Sequence, residues 1–190
     1  MAISALAQWI RSASPSGGAR TKLRRCAAAF LAIALWPASL TAGDAFRAGN
    51  AAYAAHHYAE AAKIFSDLAV QGDPRAQTLL GFMFANGRGV PQNFIVAAGW
   101  YRCAAKQGFA AAQYFLGVQY DKGLGVPQDF VMSYALLDLA VASAGPERHY
   151  WVKIRDAVLT KLTVAETLQA QQMAFLGPPL GPCLPIVVGY

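Results

Sequence analysis

Between residues 72 and 143 the apolar residues return with two periods at once. The short period is helical. Ala76, Leu80 and Phe84 stand four residues apart, and Ala112, Leu116 and Tyr120 repeat the stripe, which predicts a helix with one buried face at each place. Ala97, Trp100 and Ala104 form a second stripe on the helix that follows. The long period is 36 residues. Laid over residues 108–143 without a gap, residues 72–107 are identical at twelve positions, and the block GRGVPQNF recurs as GLGVPQDF. A fixed period of this size predicts stacked helical hairpins, each burying its neighbour's apolar face.

The punctuation of each unit falls between its two stripes. Gly87 and Gly123 follow the first stripe and suit the left-handed residue that ends a helix. Gly89 and Gly125 give the turn further freedom. Pro91 and Pro127 stop helix continuation. Asn93 and Asp129 stand where a side-chain oxygen caps the second helix. Gly81 and Gly117 lie inside the first helices, where glycine costs up to about 1 kcal/mol relative to alanine. Their recurrence points to a crossing where only a hydrogen fits.

Upstream, residues 46–55 and 58–70 read as two alanine-rich helices joined at His56-His57, with Ile64-Phe65 in register with Trp100-Tyr101. Downstream, Pro146 breaks the chain. Residues 147–161 predict a helix with Trp151, Ile154 and Val158 on one face. Residues 163–175 predict another, opened by a Thr163/Glu166 capping box. Residues 177–190 are rich in Pro and Gly and are expected to be extended. The expected fold is all-α: a short solenoid of helix-loop-helix repeats over residues 43–145, capping helices over 146–176, and a tail.

Composition supports helices. Hydrophobic residues make up 56% and charged residues 14%, which excludes an intrinsically disordered chain. Alanine accounts for 39 residues and favours closely approaching helices over a sheet. The net charge of +6 invites a nucleic-acid reading, but its distribution withdraws the invitation. Residues 1–42 hold Arg11, Arg20, Lys22, Arg24 and Arg25 and no acid, whereas from residue 43 onward eleven Lys and Arg face all ten Asp and Glu. With no basic stripe there is little counterion release to gain on a phosphate backbone.

The basic cluster at residues 22–25 precedes an apolar run over residues 26–36, then Pro37 and small residues. This is the pattern of a secretory signal with a cut after Ala42. An uncleaved anchor of about 17 residues is the alternative, its basic flank inside the cell. Either places the remainder in the periplasm or outside the cell, touching a membrane only through that anchor.

The stretches AQTLLGFMFANGRGVPQNF, AAGWYRCAAKQG, AAAQYFLGVQYDKGLGVPQDF and SYALLDLAVASAG resemble the Sel-one-like repeat (SLR) family, close relatives of tetratricopeptide repeats. The resemblance is strong over residues 72–145 and weak over 46–72. It implies a TPR-like α/α solenoid whose curved surface binds other proteins, often an exported bacterial regulator of envelope processes or signalling. The sequence departs from the pattern at Asn93, Gly99 and Leu136-Leu137, which leaves the last repeat cap-like.

Motifs of chemistry are missing. There is no HExxH, G-x-S-x-G, P-loop or S-x-x-K. His56 and His57 are adjacent, so they do not share a helix face, and His149 is remote in sequence. The G-x-G loops follow helices, whereas dinucleotide loops open from a strand. No catalytic residue, metal or cofactor is therefore expected. Cys103 and Cys183 remain beyond the leader; Cys103 is either a small buried thiol beside Ala104-Ala105 or half of a bridge pinning the tail.

Off the packing stripe, Leu79 and Phe82 are matched one period later by Phe115 and Val118, with Met83 and Gln119 alongside. They read either as a groove for an apolar segment of a partner or as extra core between first helices. The expected function is a non-enzymatic scaffold or adaptor that binds a peptide segment or small domain. A β-lactamase-like or peptidoglycan hydrolase, and a structural part of a secretion or polysaccharide-export assembly, are the alternatives.

Overall fold

The computed structural model describes residues 41–181 and 183, so the expected leader lies outside the described residues. Within them the chain forms eight α-helices and no strand: α1 (Ala42–Ala54), α2 (Tyr58–Val70), α3 (Pro74–Asn86), α4 (Phe94–Lys106), α5 (Ala110–Lys122), α6 (Phe130–Ala142), α7 (Arg148–Leu159) and α8 (Val164–Leu176). Each helix from α1 to α6 packs on the next, and both α7 and α8 lean on α6. The architecture is the all-α stack of hairpins with closing helices that the periodicity predicts. None of the described helices is long and apolar enough to cross a membrane.

The caps explain the boundaries. Asp73 accepts from the N–H groups of Arg75 and Ala76 and starts α3, with Pro74 just inside it. Asn93 accepts from Ile95 and Val96 to start α4, and Asp129 from Met132 to start α6. Gly87 and Gly123 end α3 and α5 at φ of 64° and 66°, as the left-handed position requires. Thr163 and Glu166 form the expected capping box of α8. A second box, Thr41 with Asp44, starts α1 at Ala42 rather than near Phe46. The residues between the box and Phe46 are small, so the apolar stripe did not mark this start. Thr41 would be lost to a cut after Ala42.

The hairpins cross on glycine. A β-carbon on Gly81 would lie 2.8 Å from the Tyr101 ring, and one on Gly117 would lie 2.9 Å from Leu137. The first hairpin repeats the device: a β-carbon on Gly49 would lie 2.6 Å from Phe65. Phe65, Tyr101 and Leu137 are spaced by the 36-residue period. Gly49 is 32 residues before Gly81, because only His56 and its neighbours join α1 to α2, with His56 itself at φ 63°.

Successive hairpins meet at the second glycine of each loop. At Gly89 a β-carbon would lie 2.4 Å from the Tyr58 carbonyl at the start of α2; at Gly125 it would lie 2.2 Å from that of Phe94 at the start of α4. The freedom read from the sequence is therefore only half of the reason for glycine there. These residues let a loop rest on the backbone of the preceding unit's second helix.

Two apolar cores result. One runs through Phe65, Leu80, Phe84, Trp100 and Tyr101; the other joins Leu137 and Val141 to Trp151, Val158 and Ala170 of the closing helices. Trp151 stacks on Tyr114 at 5.0 Å between ring centroids. Arg155 bonds Asp138 at 3.0 Å, and Lys161 bonds Asp121, fastening the closing helices by charge. Beyond α8 the chain is non-helical over its described part. Leu180 is buried, Lys106 donates to the Gly181 carbonyl, and Cys103 is bonded to Cys183. Of the two readings of Cys103, the bridge is the one present.

Candidate binding groove

Helices α1, α3 and α5 leave a groove between them. On α3, Arg75, Leu79 and Phe82 follow at i, i+4 and i+7, the spacing of a single helix face. Phe46 and Tyr53 share a face of α1 in the same way, and Phe115 contributes from α5. Two adjoining hollows line up along these residues. One, of about 370 Å³, is lined by Phe46, Arg75, Thr78, Leu79, Phe109 and Phe115. The other, of about 330 Å³, is lined by Tyr53, Thr78, Leu79, Phe82, Arg88 and Phe115. Leu79, Phe82 and Phe115 are half-buried, so each shows part of its apolar surface to the groove.

The strip read from the sequence thus divides. Leu79, Phe82 and Phe115 come together, with the Phe82 and Phe115 rings 5.8 Å apart. Phe115 also stacks on Tyr101 at 5.3 Å, so it belongs to core and groove together. Met83 is fully buried, at 0% exposure, and Gln119 is 4% exposed. Each lies seven residues beyond an alanine of the packing stripe, Ala76 and Ala112, so helical geometry turns both inward. Val118 packs against the second core and lines neither hollow. The structural glycines and the buried Trp100 stand in the packing positions described above.

Phe46, Tyr53, Arg75, Thr78, Arg88 and Phe109 were not singled out from the sequence. The i, i+4, i+7 spacing of Arg75, Leu79 and Phe82 was the available signal. Arg88 carries none, because it stands in the turn after α3. Its guanidinium lies 5.8 Å from the Tyr53 ring, 5.8 Å from Tyr58 and 5.5 Å from Phe82, and donates to the Tyr53 hydroxyl. Arg75 lies 4.3 Å over the Phe46 ring and pairs with Asp73 at 2.6 Å. That pairing and the two N–H groups hold the Asp73 carboxyl below its ordinary pKa.

Chemistry of the reactive kind finds no constellation here. Among the described residues no three His, Cys, Asp or Glu side chains gather as metal ligands. His56 Nδ1 meets the Tyr58 hydroxyl at 2.6 Å, and His57 lies 3.8 Å from Glu60, so the adjacent pair diverges. Burial pushes the Tyr101 phenol up, away from the range of a general base. A further hollow of about 550 Å³ follows the seam between loops, from Gln92 to Ile95 and Gly123 to Pro127, without a titratable side chain.

Stacked helical hairpins crossing on glycine, with an apolar groove along their first helices, define an α/α repeat protein. Residues 74–109 and 110–143 match the model of the Sel1 repeat, and the chain carries two such repeats in an SLR fold. Among solved structures it is similar to a protective antigen of uropathogenic Escherichia coli strains that displays an SLR fold, with 32% identity and a TM-score of 0.65 over 70% of this chain. It is also similar to a Sel1 repeat protein from Oxalobacter formigenes, with 35% identity and a TM-score of 0.50 over 52% of this chain. The match spans 29% of the first of these proteins and 39% of the second. No curated protein matches the chain. Sel1 repeats generally mediate protein–protein interaction.

Proposed function

We propose that this chain is an exported, non-enzymatic adaptor that holds a short segment of another envelope protein in the groove between α1, α3 and α5. The observation that carries the reading is the half-exposed apolar lining of the two hollows by Leu79, Phe82 and Phe115. A soluble chain gains by burying such side chains, and helical repeats leave them out where a partner completes the core. Export is supported by the basic cluster and apolar run near the start of the sequence. It is supported also by the Cys103–Cys183 bond, which persists in oxidising compartments. An adaptor of the periplasm fits both.

The test pairs folding with capture. A photo-reactive residue at Leu79 should crosslink one partner in the periplasm, and the same residue at the exposed Ile95 should not. Phe82→Asp should abolish capture with its circular-dichroism melt retained. Unfolding of both Phe82→Asp and Leu79→Asp would mean that these residues are core, and the adaptor reading would fail.

A further inference from the structure

Resting on that groove reading, we propose that the groove takes an extended peptide of about six residues, with an acidic side chain on Arg88 beside bulky apolar ones. The repeat itself points to Arg88. The two loop blocks differ at two positions only, Arg88 against Leu124 and Asn93 against Asp129. Asn93 and Asp129 perform the same capping. Arg88 has no counterpart in the second loop, and of the rings around it Phe82 is matched there by Val118, while Tyr58 is matched by Phe94. The exception to the repeat is thus gathered at one end of the groove.

A guanidinium carries five N–H donors in a planar fork. The Tyr53 hydroxyl accepts one. No carboxylate among the described residues pairs with Arg88; the ion pairs formed use Arg47, His57, Arg75, Arg155 and Lys161. The three rings flank the guanidinium without satisfying its remaining donors, which stay available to the two oxygens of a carboxylate. No acid lines either hollow, and Asp73, beside Arg75, is spent on the first turn of α3 and on Arg75. The Arg75 end of the groove is therefore neutralised, the Arg88 end is basic, and the lining between them is largely apolar.

Length follows from α3. Its 13 residues span about 20 Å at a helical rise of about 1.5 Å, and the groove runs from Arg75 near its start to Arg88 just past its end. An extended chain covers about 3.3 Å per residue, so about six residues fill that span. Arg75 is already paired, so the Arg88 end receives the acid.

The test uses the full chain with its disulfide intact and a bead library of acetylated hexapeptides. Coupling through their C-termini leaves only side chains to carry negative charge. Retained beads should carry Asp or Glu next to large aliphatic or aromatic residues. The best sequence, resynthesised as a fluorescent amide, should weaken about tenfold when its acid becomes the amide. It should weaken similarly on Arg88→Met, with the melt unchanged, and Arg88→Lys should fall between. The peptide-side change reads the anchor without altering the protein. Acid-free peptides that ignore Arg88→Met but are lost on Phe82→Asp would overturn the acidic anchor and leave the groove standing. Retention of no peptide would overturn both.

Discussion

Gly81 and Tyr101 fit each other as hole and plug: the ring lies where the glycine's β-carbon would be, 2.8 Å from it. Alanine at 81 would gain about 1 kcal/mol in helix propensity, yet overlap with a buried ring costs about 1–3 kcal/mol. Gly81→Ala should therefore lower the melting temperature, and Gly81→Val should lower it further. An unchanged melt for Gly81→Val would remove this contact from the account.

Gly87 and Gly89 separate two effects that usually coincide. Both are left-handed, at φ 64° and 74°. A β-carbon on Gly87 meets nothing nearer than Gln92, at 3.4 Å and beyond, whereas one on Gly89 strikes the Tyr58 backbone at 2.4 Å. Gly87→Ala should cost about 1–2 kcal/mol from handedness alone. Gly89→Ala should cost clearly more, as chemical denaturation would show. Equal losses would mean that the loop does not press on α2.

The disulfide closes a loop across a sequence separation of 80 residues. In the chain-entropy model such a closure is worth about 4 kcal/mol. Urea unfolding with and without reductant should show a loss of this order, reproduced by Cys183→Ser. Alkylation without reductant should leave Cys103 and Cys183 unlabelled; two labelled thiols would exclude the bond.

The acid side of the stability curve should depend on Asp73. Bonding to Arg75 holds its folded pKa below 3.8, its ordinary value. Its contribution is complete above about that pH and is lost as pH falls through the folded value. Asparagine caps helices equally well, as Asn93 does here, so Asp73→Asn should keep α3 and flatten the melting temperature below pH 4. An identical acid limb in the variant would count against the pairing.

One bond of the repeat is missing its second copy. Gln107 donates to the Gln77 side-chain oxygen at 2.9 Å, whereas the matching Gln113 oxygen is buried with no partner. The residue matching Gln107 is Ser143, too short to reach. Ser143→Gln should supply the donor and raise stability by about 0.5–1.5 kcal/mol. A lowered melt would show that the closing helices leave no room for it.

Local rules carried most of the fold. Glycine at a helix end, Asn or Asp before a helix, and the 36-residue register each act within a few residues, so Gly87, Asn93 and Phe94 could be placed from the sequence. The groove was legible only in part, because facing inward or outward depends on neighbouring helices. Leu79 and Phe82 sit on the open side, and Met83, one position further, sits inside. Phe46 and Tyr53 were hidden in an alanine-rich stretch whose partner helices no local rule names. Arg88 lies in a turn, where periodicity says nothing about direction. The Cys103–Cys183 pair is equally non-local, and a count of cysteines allows it without choosing it.

The joint at Gly89 and Gly125 has an architectural consequence. The seat of Gly89 on Tyr58 recurs a whole period later as that of Gly125 on Phe94, so a further copy of residues 74–109 can be spliced in after Phe109 with this joint reproduced. Growth by duplication leaves such an array mechanically consistent, whereas an insertion of one residue in a loop would throw the glycine off its seat.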